Sequence, residues 1–140
     1  MKYEAGTQNF ASAATFKQAI EFINLLSDNE LIKEYDKIRN YLLEVFRNDE
    51  RIVLYGVPRG TNEDKIPLFS FTVNGVHHED LALILDKMGI AVRSGQMCAE
   101  PLMDRFGVTG MLRVSLAPYN TMEEAEYFVK CLNKAIDMLM

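Results

Sequence analysis

The sequence has 140 residues, of which 49% are hydrophobic and 25% are charged, and its formal net charge is −5 at pH 7. A chain of this size and composition is expected to form a single domain, residues 1–140, with a buried core. The acidic balance excludes broad binding to nucleic acids or anionic membranes, because both need clusters of basic side chains. Two cysteines without a CxxC pair, and an N-terminus without an apolar signal segment, predict a cytoplasmic protein.

Two helices are predicted in the N-terminal third of the chain. The first runs from about Phe10 to Leu26, where Phe16, Ile20 and Ile23 recur at helical spacing. A capping box at residues 27–30 then begins a second helix. The apolar stripe of this second helix consists of Leu31, Tyr35, Ile38, Leu42 and Val45.

Two strands are predicted in the middle of the chain, RIVLY at 51–55 and PLFSFTV at 67–73. A polar, exposed connection over 56–65 joins them in a hairpin-like arrangement. The second strand alternates cleanly, with its apolar side chains on one face and Ser70 and Thr72 on the other.

The remaining sequence alternates between helices and strands. It predicts a helix from about Glu79 to Met88 ended by Gly89, a strand Ile90–Ser94, a short helix Pro101–Phe106, a strand Met111–Ala117 and a final helix begun by the capping box Thr121–Glu124. This order of elements favours an α/β fold of the α+β sandwich type. We expect a small, largely antiparallel sheet with helices packed on one side.

The segment AVRSGQMCAEPLM places an arginine, a glycine and Cys98 close together. A cysteine reacts as its thiolate, which a nearby cation such as Arg93 favours and Glu100 opposes. The alternative is a small, buried filler, because free cysteine is among the most buried residue types. The pattern leaves both interpretations open for Cys98, whereas Cys131, on the last helix, is interpreted as structural.

Strand alternation places Arg113 with Ser115, opposite the apolar residues of its strand. A guanidinium over a sheet face needs an anion, which is either a carboxylate ligand or the partner in an ordinary salt bridge. Arg93 raises the same question, since the two arginines form either one positive pocket or two separate edge charges.

Two further features precede helices. His77 and His78 are adjacent and point in different directions, which favours capping or loop packing over a shared metal ion. Gly6 and Thr7 precede the first helix, where backbone N–H groups and a hydroxyl can bind phosphate. An ordinary turn explains Gly6 and Thr7 equally well.

HHEDLALILDKMGIAVRSGQMCAEPLM and the downstream LRVSLAPYNTMEEAEYFV closely resemble the C-terminal part of cysteine desulfurases, and the opening YEAGTQN resembles the same family. The match is to the branch of SufS-like and selenocysteine-lyase-like enzymes within class V aminotransferases. This resemblance implies the fold of the C-terminal small domain of fold-type I pyridoxal-phosphate enzymes. It also implies that the large cofactor-binding domain is absent from these 140 residues.

The resemblance assigns roles to the candidate residues. Cys98 matches the nucleophile that takes sulfur from L-cysteine as a persulfide, leaving L-alanine, for sulfur transfer and iron–sulfur cluster assembly. Arg113 matches the arginine that binds the substrate carboxylate, and Arg93 supports that site. Gly6 and Thr7 match a segment that reaches the cofactor phosphate of the partner subunit in a homodimer.

The sequence also departs from the family pattern. Gln96 and Met97 stand where many relatives have two histidines, and no lysine follows a histidine as the Schiff-base lysine does. The parent enzyme is thus expected to use pyridoxal phosphate, while the isolated chain binds none covalently and is inactive. Expected partners are the large domain or a full-length homodimer partner, a sulfur-acceptor protein, and cysteine or selenocysteine. The alternatives are a stand-alone sulfur carrier that accepts a persulfide on Cys98, and a structural or regulatory remnant.

Overall fold

A computed structural model describes residues 6–27, 30–56 and 65–140. Its elements are α1 (Phe10–Ser27), α2 (Glu30–Asn48), β1 (Ile52–Tyr55), β2 (Leu68–Val73), α3 (His78–Lys87), β3 (Arg93–Gly95), α4 (Glu100–Phe106), β4 (Met111–Ser115) and α5 (Met122–Leu139). The predicted order of helices and strands is confirmed. Residues 28 and 29 of the predicted capping box, and residues 57–64 of the predicted connection at 56–65, lie outside the described residues.

One predicted strand, Ile90–Ser94, is wrong over its first half, because β3 covers only Arg93–Gly95. The residues before β3 instead complete the C-terminus of α3. The N–H of Ile90 donates to the carbonyl of Leu85 at 2.9 Å, and Gly89 adopts a φ of +80°. A helix that ends with a left-handed glycine ties the following residue to its last turn, which prevents that residue from joining the sheet.

The sheet is antiparallel throughout and has the strand order β1-β2-β4-β3. In the register, Phe71 lies between Leu54 and Leu112, and Phe69 is opposite Val114. All these side chains share one face, and both phenylalanines are fully buried. The alternation predicted for β2 is therefore confirmed, and it gives the sheet one continuous apolar face.

Helices α2, α3 and α5 cover this apolar face, as predicted for helices packed on one side, whereas the short helix α4 lies on the opposite side of the sheet. On α2, Ile38 and Leu42 of the predicted stripe are buried, and Leu43 and Phe46 complete the buried face. The face is thus rotated from the predicted stripe, since Val45 is only half-buried. The buried face of α5 consists of Ala125, Phe128, Cys131, Leu132, Ala135 and Ile136.

The connection from β4 to α5 is held by side-chain hydrogen bonds. Thr121 Oγ1 accepts from the N–H of Glu124 at 3.3 Å, and Glu124 Oε2 accepts from the N–H of Thr121 at 3.0 Å, which confirms the predicted capping box. Asn120 Oδ1 accepts from the N–H of Ala117 at 2.8 Å, and Asn120 Nδ2 donates to Glu124 at 2.9 Å. Asn120 and Thr121 thus have a structural role, because they fix the end of β4 against the start of α5.

Helix α1 is confirmed but differs from the other long helices, because its main contacts are with α2 alone. Its large apolar side chains remain exposed, namely Phe10, Phe16, Ile20, Phe22, Ile23 and Leu25. Among the described residues, no helix is both long and apolar enough to cross a lipid bilayer.

Candidate functional site

A row of polar side chains crosses the sheet face that points away from the core. Arg113 on β4 is directly opposite Arg93 on β3 and Ser70 on β2, and Ser70 is opposite Tyr55 on β1. Because side chains alternate along a strand, this row lies on the opposite face from Leu112. The predicted placement of Arg113 is confirmed, and the strand order brings the two arginines together.

A cavity of about 280 Å³ lies against the central part of this row. Ser70 and Arg113 line it from the sheet, and Leu102 and Phe106 of the short helix α4 line it from the opposite side. Phe106 packs on Tyr55 with 5.0 Å between ring centroids, and both residues line the cavity. The cavity walls are thus mainly apolar around a few polar groups, which is the usual character of a small-molecule site.

Arg113 makes no ion pair within the described part of the chain, and its Nε is buried without a hydrogen-bond partner. None of the described residues that line the cavity is acidic. An unpaired guanidinium nitrogen in a buried position calls for an acceptor, and a carboxylate matches its planar geometry. These observations favour a carboxylate ligand for Arg113 over an ordinary salt bridge.

Cys98 is exposed, so its interpretation as a buried filler is wrong. It lies in a tight turn closed by the N–H of Ala99 donating to the carbonyl of Gln96 at 2.9 Å. Met97 and Cys98 both have positive φ values, 56° and 59°, as in a type I′ turn. The left-handed conformation costs a residue with a side chain about 1–2 kcal/mol, so the surrounding structure must hold this turn in place.

The turn that contains Cys98 lies against the cavity of Arg113. Met97 and Ala99, the neighbours of Cys98 on either side, both line the cavity that contains Arg113. Arg93 lies at the edge of the sheet, is exposed and does not line this cavity. The structure therefore places Cys98 beside the site of Arg113, with Arg93 on the adjacent strand.

Gly6 and Thr7 are not brought to this site. Both are exposed at the N-terminal side of α1, and neither lines the cavity of Arg113. The first turn of α1 is capped by Asn9, whose Oδ1 accepts from the N–H of Ser12 at 3.2 Å. Phosphate binding by Gly6 and Thr7 stays a prediction.

The two histidines have the structural roles expected of them. His77 Nδ1 accepts from the N–H of Glu79 at 3.4 Å and caps α3, whereas His78 is buried against Gly110. Their rings stack with 4.4 Å between centroids. The described residues contain no cluster of three side chains that could ligate a metal ion. The structural interpretation of Cys131 is confirmed as well, because its side chain is in the core.

His78 makes the stability of the fold depend on pH. Burial, with a smaller contribution from His77, lowers the pKa of His78 below its ordinary value. The unfolded chain therefore takes up a proton at His78 at a higher pH than the folded chain does, so protonation favours unfolding. We expect the free energy of unfolding to fall as the pH decreases from about 7 through the ordinary histidine pKa of about 6.5.

Urea unfolding at a series of pH values measures this effect. His78→Gln should remove this component of the pH dependence, while the matched control His77→Gln keeps most of it. Equal pH dependence in the parent chain and in His78→Gln would contradict the assignment.

Comparison with known proteins identifies the family. The model of the family described as aminotransferase class-V matches residues 1–128. The chain belongs to the aminotransferase class V family. The chain is 36% identical over 138 residues to a probable cysteine desulfurase of Vibrio cholerae and 35% identical over 139 residues to the cysteine desulfurase CsdA of Escherichia coli. It covers 33% of each of these two relatives, so it spans about a third of their length.

Solved structures agree with this relationship. The crystal structure of Escherichia coli CsdA (S-sulfonic acid) gives a TM-score of 0.77 at 30% identity and matches 99% of this chain with 33% of its own. The apo structure of cysteine desulfurase from Thermococcus onnurineus gives a TM-score of 0.81 at 33% identity, matching 98% of this chain with 34% of its own. The resemblance to part of a cysteine desulfurase and the predicted fold class are thereby confirmed.

Sequence reasoning found Arg113, Arg93 and Cys98 but did not identify the residues that line the cavity together with Arg113. Ser70 and Tyr55 were detectable in principle, since strand alternation places them on the outer face once the register is known. Lys65 and Met97 also line the cavity, and nothing in their local sequence marks them as cavity residues.

Proposed function

We propose that this chain is the thiol-bearing part of a pyridoxal-phosphate-dependent cysteine desulfurase. One observation carries the proposal: the exposed Cys98 lies in a turn whose two flanking residues line the cavity of Arg113. A nucleophile beside a cation with an unsatisfied nitrogen is the arrangement needed to take a group from a small carboxylate substrate.

In this proposal Arg113 binds the carboxylate of L-cysteine, because its fork of N–H donors fits a carboxylate. Cys98 accepts the substrate sulfur as a persulfide, and L-alanine is released. The exposure of Cys98 then allows an acceptor thiol to reach that persulfide. Arg93, opposite Arg113 on the edge strand, adds positive charge near the site.

The described residues do not form a complete pyridoxal phosphate site. The described lining of the Arg113 cavity contains no carboxylate to pair with a pyridinium nitrogen and no histidine to stack on the ring. Lys65, the lysine that lines this cavity, donates its Nζ hydrogen to the carbonyl of Leu68. In this proposal a larger domain therefore holds the cofactor, and the described residues supply the arginine and the thiol.

Further chain, or a partner subunit, also accounts for the surface of α1. Large apolar side chains that stay exposed in number typically mark a contact surface, and Phe10, Phe16 and Phe22 are each more than half exposed. In this proposal the larger domain or a second subunit covers α1, and Gly6 and Thr7 contribute to the phosphate site of the partner. A sulfur-acceptor protein completes the set of partners.

A chimera tests the proposal. In it, this chain replaces the matching third of the Vibrio cholerae relative, and release of alanine from cysteine is measured with pyridoxal phosphate present. We expect turnover that Cys98→Ala abolishes, because no thiol then accepts the sulfur. Arg113→Met should lower kcat/KM by about a hundredfold or more, the effect of losing charge-assisted hydrogen bonds to the substrate. The chain alone should release no alanine.

The matched control is Cys131→Ala, which removes the buried cysteine and should leave turnover dependent on Cys98. Turnover that survives Cys98→Ala would contradict the proposal, as would robust turnover by the isolated chain. An inactive chimera, together with sulfur uptake on Cys98 of the isolated chain from a separate desulfurase, would instead support the stand-alone carrier, which the exposed thiol also permits.

A further inference from the structure

We propose that Lys65 and Arg113 together form a two-cation site for a small dianion, such as a short dicarboxylate, which competes with the substrate carboxylate. This inference rests on the proposed function in one respect, since the competition assumes that Arg113 binds the substrate. The binding of a dianion is independent of that assumption. Lys65 was not among the residues that the sequence indicated.

The position of Lys65 is the first observation. Its side chain is half-buried and lines the same cavity as Arg113. Its Nζ donates to the carbonyl of Leu68 at 2.5 Å and lies 5.4 Å from the centroid of the Phe69 ring. A lysine ammonium has three donors, and within the described chain only one of them is used in a hydrogen bond.

The charge balance of the cavity is the second observation. Two cations line it, the Nε of Arg113 is buried without a partner, and none of the described lining residues is acidic. A monoanion neutralises one cation and leaves the other in a partly desolvated site, whereas a dianion neutralises both. Burial also lowers the pKa of Lys65, because a partly buried site disfavours the charged form of the ammonium.

The size of the cavity fits such a ligand. Its volume of about 280 Å³ accommodates a short dicarboxylate, and the apolar walls of Leu102 and Phe106 fit the carbon chain between the two charged ends. Substrate and dianion would share Arg113, so occupancy by one excludes the other.

Titration of the chain with malonate and with propionate at constant ionic strength tests the inference. NMR spectra of methyl-labelled methionine report binding locally, because Met97 and Met111 line the cavity while Met138 and Met140 are exposed on or beside the end of α5. We expect malonate to bind about tenfold more tightly than propionate, the effect of one additional charge-assisted hydrogen bond. Lys65→Met should remove this preference, and Lys65→Arg should restore it.

Lys87→Met is the matched control, because Lys87 is an exposed lysine on α3 and should leave the preference unchanged. The inference is overturned if malonate shows no preference in the parent chain, or if Lys87→Met abolishes the preference as fully as Lys65→Met does. Propionate binding that depends on Arg113, without any preference for malonate, would leave the proposed function intact and reject only the role of Lys65. If neither anion shifts the methyl signals of Met97 and Met111, both the dianion site and the carboxylate role of Arg113 fail.

Discussion

Replacing Phe46 by alanine is expected to lower the free energy of unfolding by about 3–5 kcal/mol. Phe46 is 1% exposed and joins α2 to the sheet and to α5. Its ring centroid lies 5.3 Å from that of Phe69, 4.8 Å from that of Phe71 and 6.3 Å from that of Phe128. Removing the Phe46 ring takes away buried apolar surface. It also leaves a cavity among the rings of Phe69, Phe71 and Phe128, which cannot all move inward to fill it. Urea unfolding followed by circular dichroism measures the loss.

The control for Phe46 is the same substitution on α1. Phe16 is 66% exposed, so Phe16→Ala should change the free energy of unfolding of this chain by no more than about 0.5 kcal/mol. Equal losses for Phe46→Ala and Phe16→Ala would mean that the described core does not carry the stability of the fold.

Replacing Gly110 by alanine should lower the free energy of unfolding by about 1–3 kcal/mol, although alanine is a small residue. An added Cβ at this position would lie 2.8 Å from Cε1 and 2.9 Å from Cδ2 of His78, closer than real contacts allow. The His78 ring cannot easily move away, because it is buried and stacks on His77. Either the ring or the segment before β4 must therefore shift. Thermal and urea unfolding measure the cost.

A double-mutant cycle with His78→Ala separates this clash from other effects of the alanine. Once the ring is removed, Gly110→Ala should cost far less than it does in the parent chain, so the two substitutions should not be additive. Thr109→Ala, at the exposed neighbouring position, is the matched control and should change little. Additive effects of the two substitutions would contradict the contact between His78 and Gly110.

Local sequence signals predicted most of the secondary structure because each depends on nearby residues. The capping box at Thr121–Glu124 forms within one turn, and Gly89 ends α3 through its own left-handed conformation. The predicted strand Ile90–Ser94 differs from the structure also for a local reason. Its apolar alternation is typical of a strand, but the N–H of Ile90 donates to the carbonyl of Leu85 at the end of α3, which keeps Ile90 out of the sheet. The buried face of α2 differs from the predicted stripe for a tertiary reason. Phe46 packs on Phe69 and Phe71 of β2, so Phe46 is buried although it lies outside that stripe.

The candidate site was predicted in part. The pattern around Cys98 and Arg113 indicated a thiol and an anion-binding arginine, although local sequence left the burial of Cys98 undecided. Exposure of Cys98 follows from its turn, in which a methionine and a cysteine adopt positive φ values that local preferences disfavour. Lys65 escaped prediction because its role depends on a cavity wall built largely by α4, which follows it by 35 residues or more.

The sequence by itself determined the helices and strands, the alternation that makes one sheet face apolar, and the cysteine desulfurase resemblance. Only the tertiary structure decided the strand order, which inserts β4 between β2 and β3 and so sets Arg113 between Ser70 and Arg93. It also decided that Lys65 shares the cavity of Arg113 and that His78 packs on Gly110. The physical reason is that hydrogen bonds and periodicity within an element are local, whereas strand pairing and cavity walls join residues far apart in the chain.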